Sequence, residues 1–322
     1  MSAFAARAEL IEDGGAAAAD DEFFRSRPFL AAEGVTHTLR IESDEGELVA
    51  PLIVRGIEGT SERDAISPYG YPGLVLTSER SSPRYAGTTV FGLDPSAIDF
   101  SATGLVSAFI RHALGPSPLA GVSERNVVQI ADPELPPKSR PSDRRQVRRN
   151  LEAGYVLELV PGGGTTPEQR AGFLDVYQQT MRRTEAAPHY FFDAAYFDRI
   201  LTAERTWLAL ATAPDGTLAA ASIAAVSDGY LHYYLSGSAD SHLGDSPMKS
   251  VVARLVEHST QLGLPLNLGG GIAPGDALEE FKRGFANRQQ LWLTSELICD
   301  AQAYERLSRG REAGGFFPAY RA

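Results

Sequence analysis

The sequence predicts a mixed α/β protein in two halves, each a mostly antiparallel sheet flanked by helices. Three observations carry that expectation. In the second half, helical and strand periodicities alternate in a fixed order. The first half opens with two strand-like runs around one tight turn. Between the halves lies DPELPPKSRPSD (Asp132 to Asp143), whose four prolines break regular structure and mark the expected inter-domain connection.

In chain order, MSAFAARAELIEDGGAAAAD (residues 1–20) is Ala-rich and partly acidic, and reads as a disordered tail. It lacks the basic start and apolar run of a secretory signal. An N-terminal domain is expected over 21–140. Within it, Val35 to Ser43 and Glu47 to Arg55 read as strands around Asp44-Glu45-Gly46. SPYGYPG (Ser67 to Gly73) is a loop presenting Tyr69 and Tyr71. Thr103 to Leu114 reads as a helix and Asn126 to Ala131 as a strand.

The C-terminal domain is expected over 141–303, with 304–322 packing back on the first domain. Tyr155 to Val160 reads as a strand, Thr166 opens a helix to about Glu185, and a second helix covers Asp193 to Thr202. Three strands follow as a meander, Thr206 to Thr212, Thr217 to Val226 and Tyr230 to Ser236, joined by PDG and SDG turns. Ser246 and Pro247 open a helix with Met248, Val251, Val252, Leu255 and Leu262 on one face, which Gly263 stops. Pro265 to Leu268 is a short buried strand, Asp276 to Arg283 a short helix and Gln289 to Ile298 a last strand. The order β-α-α-β-β-β-α-β-α-β is that of the GNAT fold, whose splayed central strands admit an acyl donor.

Composition narrows the function. The formal net charge is −11, so the whole molecule repels nucleic acid and anionic membranes, and a polyanionic partner has to meet a local basic patch. One cysteine excludes a disulfide framework and suits a reducing cytoplasm. No run approaches the roughly 20 apolar residues of a membrane span, and the six histidines show no metal spacing.

The stretch LGGGIAPGDALEEFKRGF (Leu268 to Phe285) is neither a Walker loop nor GxGxxG. Gly269, Gly270 and Gly271 either close a tight β–α joint or let the backbone pass close to a ligand. Asp276 caps the helix with Glu279 at N3, and Leu278, Phe281 and Phe285 share a face expected to be buried. Only three lysines stand among thirty cationic residues, so Lys282 beside Phe281 stands out. Its ammonium either snorkels or stabilises a charged group.

A second cationic feature is the run of Lys138, Arg140, Arg144, Arg145, Arg148 and Arg149. On a helix, Arg144/Arg148 and Arg145/Arg149 are like charges four residues apart, which an anion between them would relieve. A CoA-binding turn is expected before the Met248 helix, but SHLGDS (Ser241 to Ser246) places Ser241 and Asp245 where a pyrophosphate would bind. Lys249 in the first turn partly compensates. For catalysis, His232, Tyr234 and Ser236 alternate along a strand bordering the cleft and either orient the amine or form a packed strand face. Asp276 is a candidate base whose capping role already explains it, and Cys299 reads as buried rather than nucleophilic.

RRQVRRNLEAGY, YQQTMRRTEA, LGGG…FKRGF, SPYGYPG and the terminal FFPAYR together resemble the Fem-type aminoacyltransferases, from Phe23 to Arg321. The resemblance implies tandem GNAT-like domains and transfer of an amino acid from aminoacyl-tRNA to an amine, on a peptide or amino-nucleoside acceptor. It implies that Phe281 and Lys282 line the channel for the aminoacyl end of tRNA. Arg144, Arg145, Arg148, Arg149 and Lys249 would meet phosphates. Tyr69, Tyr71, Tyr177, Arg183 and Tyr190 are implied acceptor contacts. No cofactor beyond the co-substrate is expected, and a monomer is favoured. Two other functions fit the same scaffold: an acyl-CoA-dependent N-acyltransferase, and a non-catalytic tRNA- or peptide-binding protein.

Overall fold

A computed structural model describes residues 5–44, 46–77, 92–312 and 314–322. The chain forms two compact units. Unit 1 comprises residues 1–20, 24–125 and 291–322, and unit 2 comprises residues 21–23 and 126–290.

Unit 1 begins with β1 (Ala6–Ile11), which pairs antiparallel with β2 (His37–Ser43) over its whole length. Ala6–Ile11 is therefore a strand, within the stretch expected to be a disordered tail. Alternation explains it: Ala6 and Ala8 are buried in the unit's core while Arg7 and Glu9 face out. The short helix α1 (Arg27–Ala32) precedes β2, which forms a hairpin with β3 (Gly46–Gly56). β4 (Arg63–Ile66) and β5 (Val75–Leu76) both pair with β3, and β6 (Ile98–Asp99) pairs with β1. The helix expected at Thr103 to Leu114 is a 3-10 turn (Ser101–Thr103) followed by β7 (Ser107–Arg111). Ladder hydrogen bonding decides this, because β7 lies parallel to β4 and buries Ala108 and Ile110.

The chain enters unit 2 within β8 (Ser123–Ala131). The partition thus falls between Arg125 and Asn126, ahead of the proline run expected to mark it. That run is tied down in unit 2. The Asn287 side-chain oxygen accepts from the Asp132 N–H at 2.8 Å, and its amide donates back to the Asp132 carbonyl at 2.8 Å. The prolines lead into α2 (Pro141–Glu152), with Pro141 in the first turn, where a missing N–H costs nothing.

The rest of unit 2 follows the expected order. It runs β9 (Val156–Pro161), α3 (Pro167–Arg183), α4 (Ala194–Ile200), β10 (Thr206–Thr212), β11 (Leu218–Ser227) and β12 (Tyr230–Ser238). Then come α5 (Met248–Leu262), β13 (Leu266–Asn267) and α6 (Ala277–Arg283). Thr166 and Gln169 form a reciprocal capping box on α3, and Gly263, in the left-handed region, ends α5. The sheet order within the unit is β8-β13-β12-β11-β10-β9, antiparallel except where β12 meets β13. Nearly all of β11 is buried, the pattern of a strand covered on both faces, and α3 and α5 both pack on it.

β14 (Arg288–Ile298) carries the chain back into unit 1, where its second half pairs antiparallel with β7. The closing helix α7 (Ala301–Ser308) and the terminal turn belong to unit 1. Tyr320 and Ala303 pack with Ile57 and Val106. Buried Asp64 accepts from Arg55 at 3.0 Å, from the Tyr320 hydroxyl at 3.2 Å and from the Arg321 Nε at 2.5 Å. Cys299 is in this unit, and burial pushes its thiol up to about 12, which keeps it protonated and inert.

Candidate active site

The site is built where the sheet of unit 2 splays. β12 and β13 pair at only two positions, Leu231 with Leu266 and His232 with Asn267. β13 then ends, and Gly269 turns the chain with a φ of 76°, a conformation glycine adopts without strain. Among the described residues no strand continues the ladder beside β12 after His232. β12 also bulges there: Ile223 faces Leu235 but Ala224 faces Tyr233, leaving Tyr234 out of the register.

The glycine loop is held from four sides. The Asn267 side-chain oxygen accepts from the Gly269 N–H at 2.8 Å, and the Asn126 amide donates to the Gly271 carbonyl at 2.9 Å. Lys282 Nζ donates to the Gly270 carbonyl at 2.6 Å. Asp276 accepts from the N–H groups of Ile272 and Ala273 at 2.6 and 2.9 Å, and from Glu279 at 2.7 Å. A Cβ on Gly270 would stand 2.5 Å from the Asn126 amide, and one on Gly271 would stand 2.5 Å from the Asp276 carboxylate. Close approach therefore accounts for both glycines.

Lys282 is 8% exposed, and burial pushes its ammonium down to about 8, against an opposing pull from the Asp276 carboxylate. Phe281 is half-buried, edge-on to Phe285 with ring centroids 5.7 Å apart. Leu278, expected on the same buried face, is 38% exposed. A seven-residue helix presents too short an apolar stripe to cover it. The reciprocal half of the expected capping box also differs: Glu279 accepts from the Gly275 N–H at 2.7 Å rather than from Asp276, and pairs with Arg283.

The other expected catalytic groups are committed elsewhere. His232 is 2% exposed. Its Nδ1 accepts from the Asn267 amide at 3.0 Å, so its Nε2 carries the proton and donates to the Ser227 carbonyl at 3.1 Å. Burial pushes its pKa down to about 4, leaving a neutral ring with no lone pair to offer. Backbone N–H groups, first that of Glu279, hold Asp276 below the usual carboxylate range, so it is a weak base. The Tyr234 hydroxyl meets that of Tyr196 at 2.9 Å. The bulge separates Ser236 from His232 and Tyr234: its hydroxyl bonds Tyr233 at 2.6 Å instead.

The N-terminal turn of α5 is the second part of the site. No side chain caps it, because Ser246, expected as the cap, is in the left-handed region and Pro247 precedes the helix. α2 lies across it. Asn150 donates to the Asp245 carbonyl at 3.0 Å and to the Ser250 hydroxyl at 3.1 Å, and Gln146 donates to the same carbonyl at 3.0 Å. Asp143, 5% exposed, pairs with Lys249 at 2.8 Å. Lys249 is thereby neutralised. A cavity of about 480 Å³ adjoins this turn, lined by Arg149 but also by Asp215 and Asp245. The Asp245 carboxylate accepts from the Tyr155 hydroxyl at 2.7 Å, and burial followed by that bond pushes the phenol up to about 12. Two carboxylates in one wall oppose a pyrophosphate.

Arg144, Arg145, Arg148 and Arg149 are exposed on α2, and none of them makes an ion pair among the described residues. Arg144 bonds Ser139, its hydroxyl at 3.1 Å. The expected acceptor contacts are dispersed. Tyr177 is 1% exposed, its ring edge-on to Phe197 and its hydroxyl donating to the Tyr190 carbonyl at 2.7 Å. Arg183 pairs with Asp240 and donates to the Ser238 carbonyl at 3.3 Å, tying α3 to the end of β12. Tyr69 and Tyr71 belong to unit 1, where the Tyr69 N–H donates to Glu33 and Tyr71 packs edge-on to Phe24 and Trp292.

Sequence reasoning missed Asn126, Asn267 and Asn150, the amides that fix the loop and the latch. A polar Asn inside an apolar strand run, as at Asn267, is the signal that points to such a role. No group of three or more metal-binding side chains occurs among the described residues.

A family model described as an acetyltransferase (GNAT) domain matches residues 137–283. Among solved structures, FemX aligns at 11% identity with a TM-score of 0.56, covering 84% of this chain and 89% of its own. The C-terminal domain of a candidate lysylphosphatidylglycerol synthetase from Agrobacterium fabrum aligns at 15% identity with a TM-score of 0.55, covering 88% and 89%. L-PGS from Bacillus licheniformis aligns at 12% identity with a TM-score of 0.52, covering 84% and 86%. No curated protein sequence matches the chain. At such identities the likeness is one of fold. Residues 137–283 thus match a GNAT acetyltransferase domain model, and the chain is a mixed α/β acyltransferase that shares the fold of FemX.

Proposed function

We propose that this acyltransferase takes its donor as an aminoacyl ester of tRNA and forms an amide on the amine of a peptide or amino-nucleoside. The observation that carries the reading is the latch of α2 on α5. Beside the helix N-terminus that would receive a CoA pyrophosphate, Asp143 pairs with Lys249 while Gln146 and Asn150 tie α2 to the Asp245 carbonyl, and the exposed face of α2 offers arginines that make no ion pair among the described residues. The fold shared with proteins named for lysylphosphatidylglycerol synthesis agrees with aminoacyl rather than acetyl transfer.

In this reading the acceptor amine attacks the ester carbonyl, an oxyanion forms, and the ribose hydroxyl leaves. Lys282, fixed by the Gly270 carbonyl at 2.6 Å, supplies positive charge to that oxyanion. Neither His232 nor Asp276 is a strong base, so positioning of the two substrates carries much of the rate. The acetyltransferase description of the matched domain favours a second reading, an acyl-CoA donor. Calorimetry with acetyl-CoA separates them. The tRNA reading expects no saturable binding at millimolar concentration, and low-micromolar affinity would overturn it.

A further inference from the structure

We infer a second binding site in unit 2, a groove between α2 and α5 that takes an aliphatic chain carrying an anionic head group. The groove has a volume of about 530 Å³, within the usual range for a small-molecule site. Its lining is chiefly aliphatic: Leu135, Val147, Leu151, Ala253 and Val256, with Phe285 the one aromatic ring. Leu135 and Leu151 are 41% and 51% exposed, so apolar surface is left open on both the loop and the helix.

Charge decides the occupant. Lys138, Arg144 and Arg148 line the groove, and none of the three makes an ion pair among the described residues. Arg144 bonds the Ser139 hydroxyl at 3.1 Å, which places the Lys138 loop beside the first turns of α2 and gathers the cations there. The one carboxylate of the lining, Asp132, is paired with Arg288 at 3.1 Å. A concentration of such cations on a protein of net charge −11, next to an open aliphatic trough, fits a carboxylate or phosphate head on a hydrocarbon chain. A planar aromatic anion would find only Phe285 to stack on. The site is distinct from the glycine loop, which Lys282 and Asp276 hold.

The test is displacement of the fluorescent fatty acid cis-parinarate from the full chain by tetradecanoate, its shorter homologues and dodecyltrimethylammonium. The expected result is one saturable site, with affinity falling on the order of tenfold for each two carbons removed. The cationic amphiphile should bind at least about tenfold more weakly than the fatty acid, as a cationic rim requires. Leu151→Asp and Arg148→Glu, both at exposed positions, should each weaken binding about tenfold or more with the melting temperature unchanged. Equal affinity for anionic and cationic amphiphiles, insensitivity to both substitutions, or displacement of the probe only by an acidic amphipathic peptide would overturn the assignment.

Discussion

Lys282 is held by one hydrogen bond in a nearly closed setting, and its protonation makes opposite predictions for stability and for activity. Burial sets its pKa at about 8, below the 10.5 of a lysine in the unfolded chain. Between those values the unfolded state binds more protons, so this group's cost to folding is present below pH 8 and is relieved as pH rises toward 10.5. If the ammonium stabilises the oxyanion, kcat/KM should instead fall as pH rises through about 8. Lys282→Ala should cost roughly 2–4 kcal/mol in kcat/KM, the range for removing an oxyanion donor, with the fold retained. Wild-type turnover by a folded Lys282→Ala protein, or a pH profile that Lys282→Ala leaves unchanged around pH 8, would contradict this role. At this scale the sequence shows caps better than partners. Asp276 is legible because D-x-x-E before an apolar run is a local pattern. The partners of His232 are not, because period-2 alternation allows a packed face but does not say that Asn267 and the Ser227 carbonyl close it.

The latch of α2 on α5 rests on few groups, chiefly Asn150, which is 2% exposed and has both its amide atoms bonded. Asn150→Leu keeps the volume but strands the buried Ser250 hydroxyl, which should cost about 1–3 kcal/mol. Urea unfolding checks this, and an unchanged midpoint would mean the latch contributes nothing to stability. The elements of unit 2 are legible because each has local signals: Thr166 and Gln169 start α3, Gly263 stops α5, and PDG and SDG turn the meander. β1 and β7 are not legible. Both are short and Ala-containing, and become strands only because β2, β4 and β14 pair with them. The unit boundary is hidden for a related reason. It lies within β8, a continuous strand, while the conspicuous prolines are fastened by Asn287.

For the whole molecule, a net charge of −11 makes any tRNA contact depend on the exposed arginines of α2. Replacing Arg144, Arg145, Arg148 and Arg149 with Gln should weaken tRNA binding and flatten its salt dependence. The log–log slope should fall by about 0.7–0.9 for each phosphate that an arginine no longer neutralises. An unchanged slope would mean that these charges do not meet tRNA phosphates. The tandem α/β architecture is legible in element order, but neither composition nor fold names the donor. No helix among the described residues is long and apolar enough to cross a membrane. The central claim is that the donor is an aminoacyl ester of tRNA. The most direct measurement is transfer to a small peptide amine from a charged tRNA pool or from acyl-CoAs, each with and without ribonuclease. Amide product from the charged pool that ribonuclease pretreatment abolishes, with none from acyl-CoAs, is the predicted result. Ribonuclease-insensitive product formed from an acyl-CoA would contradict it.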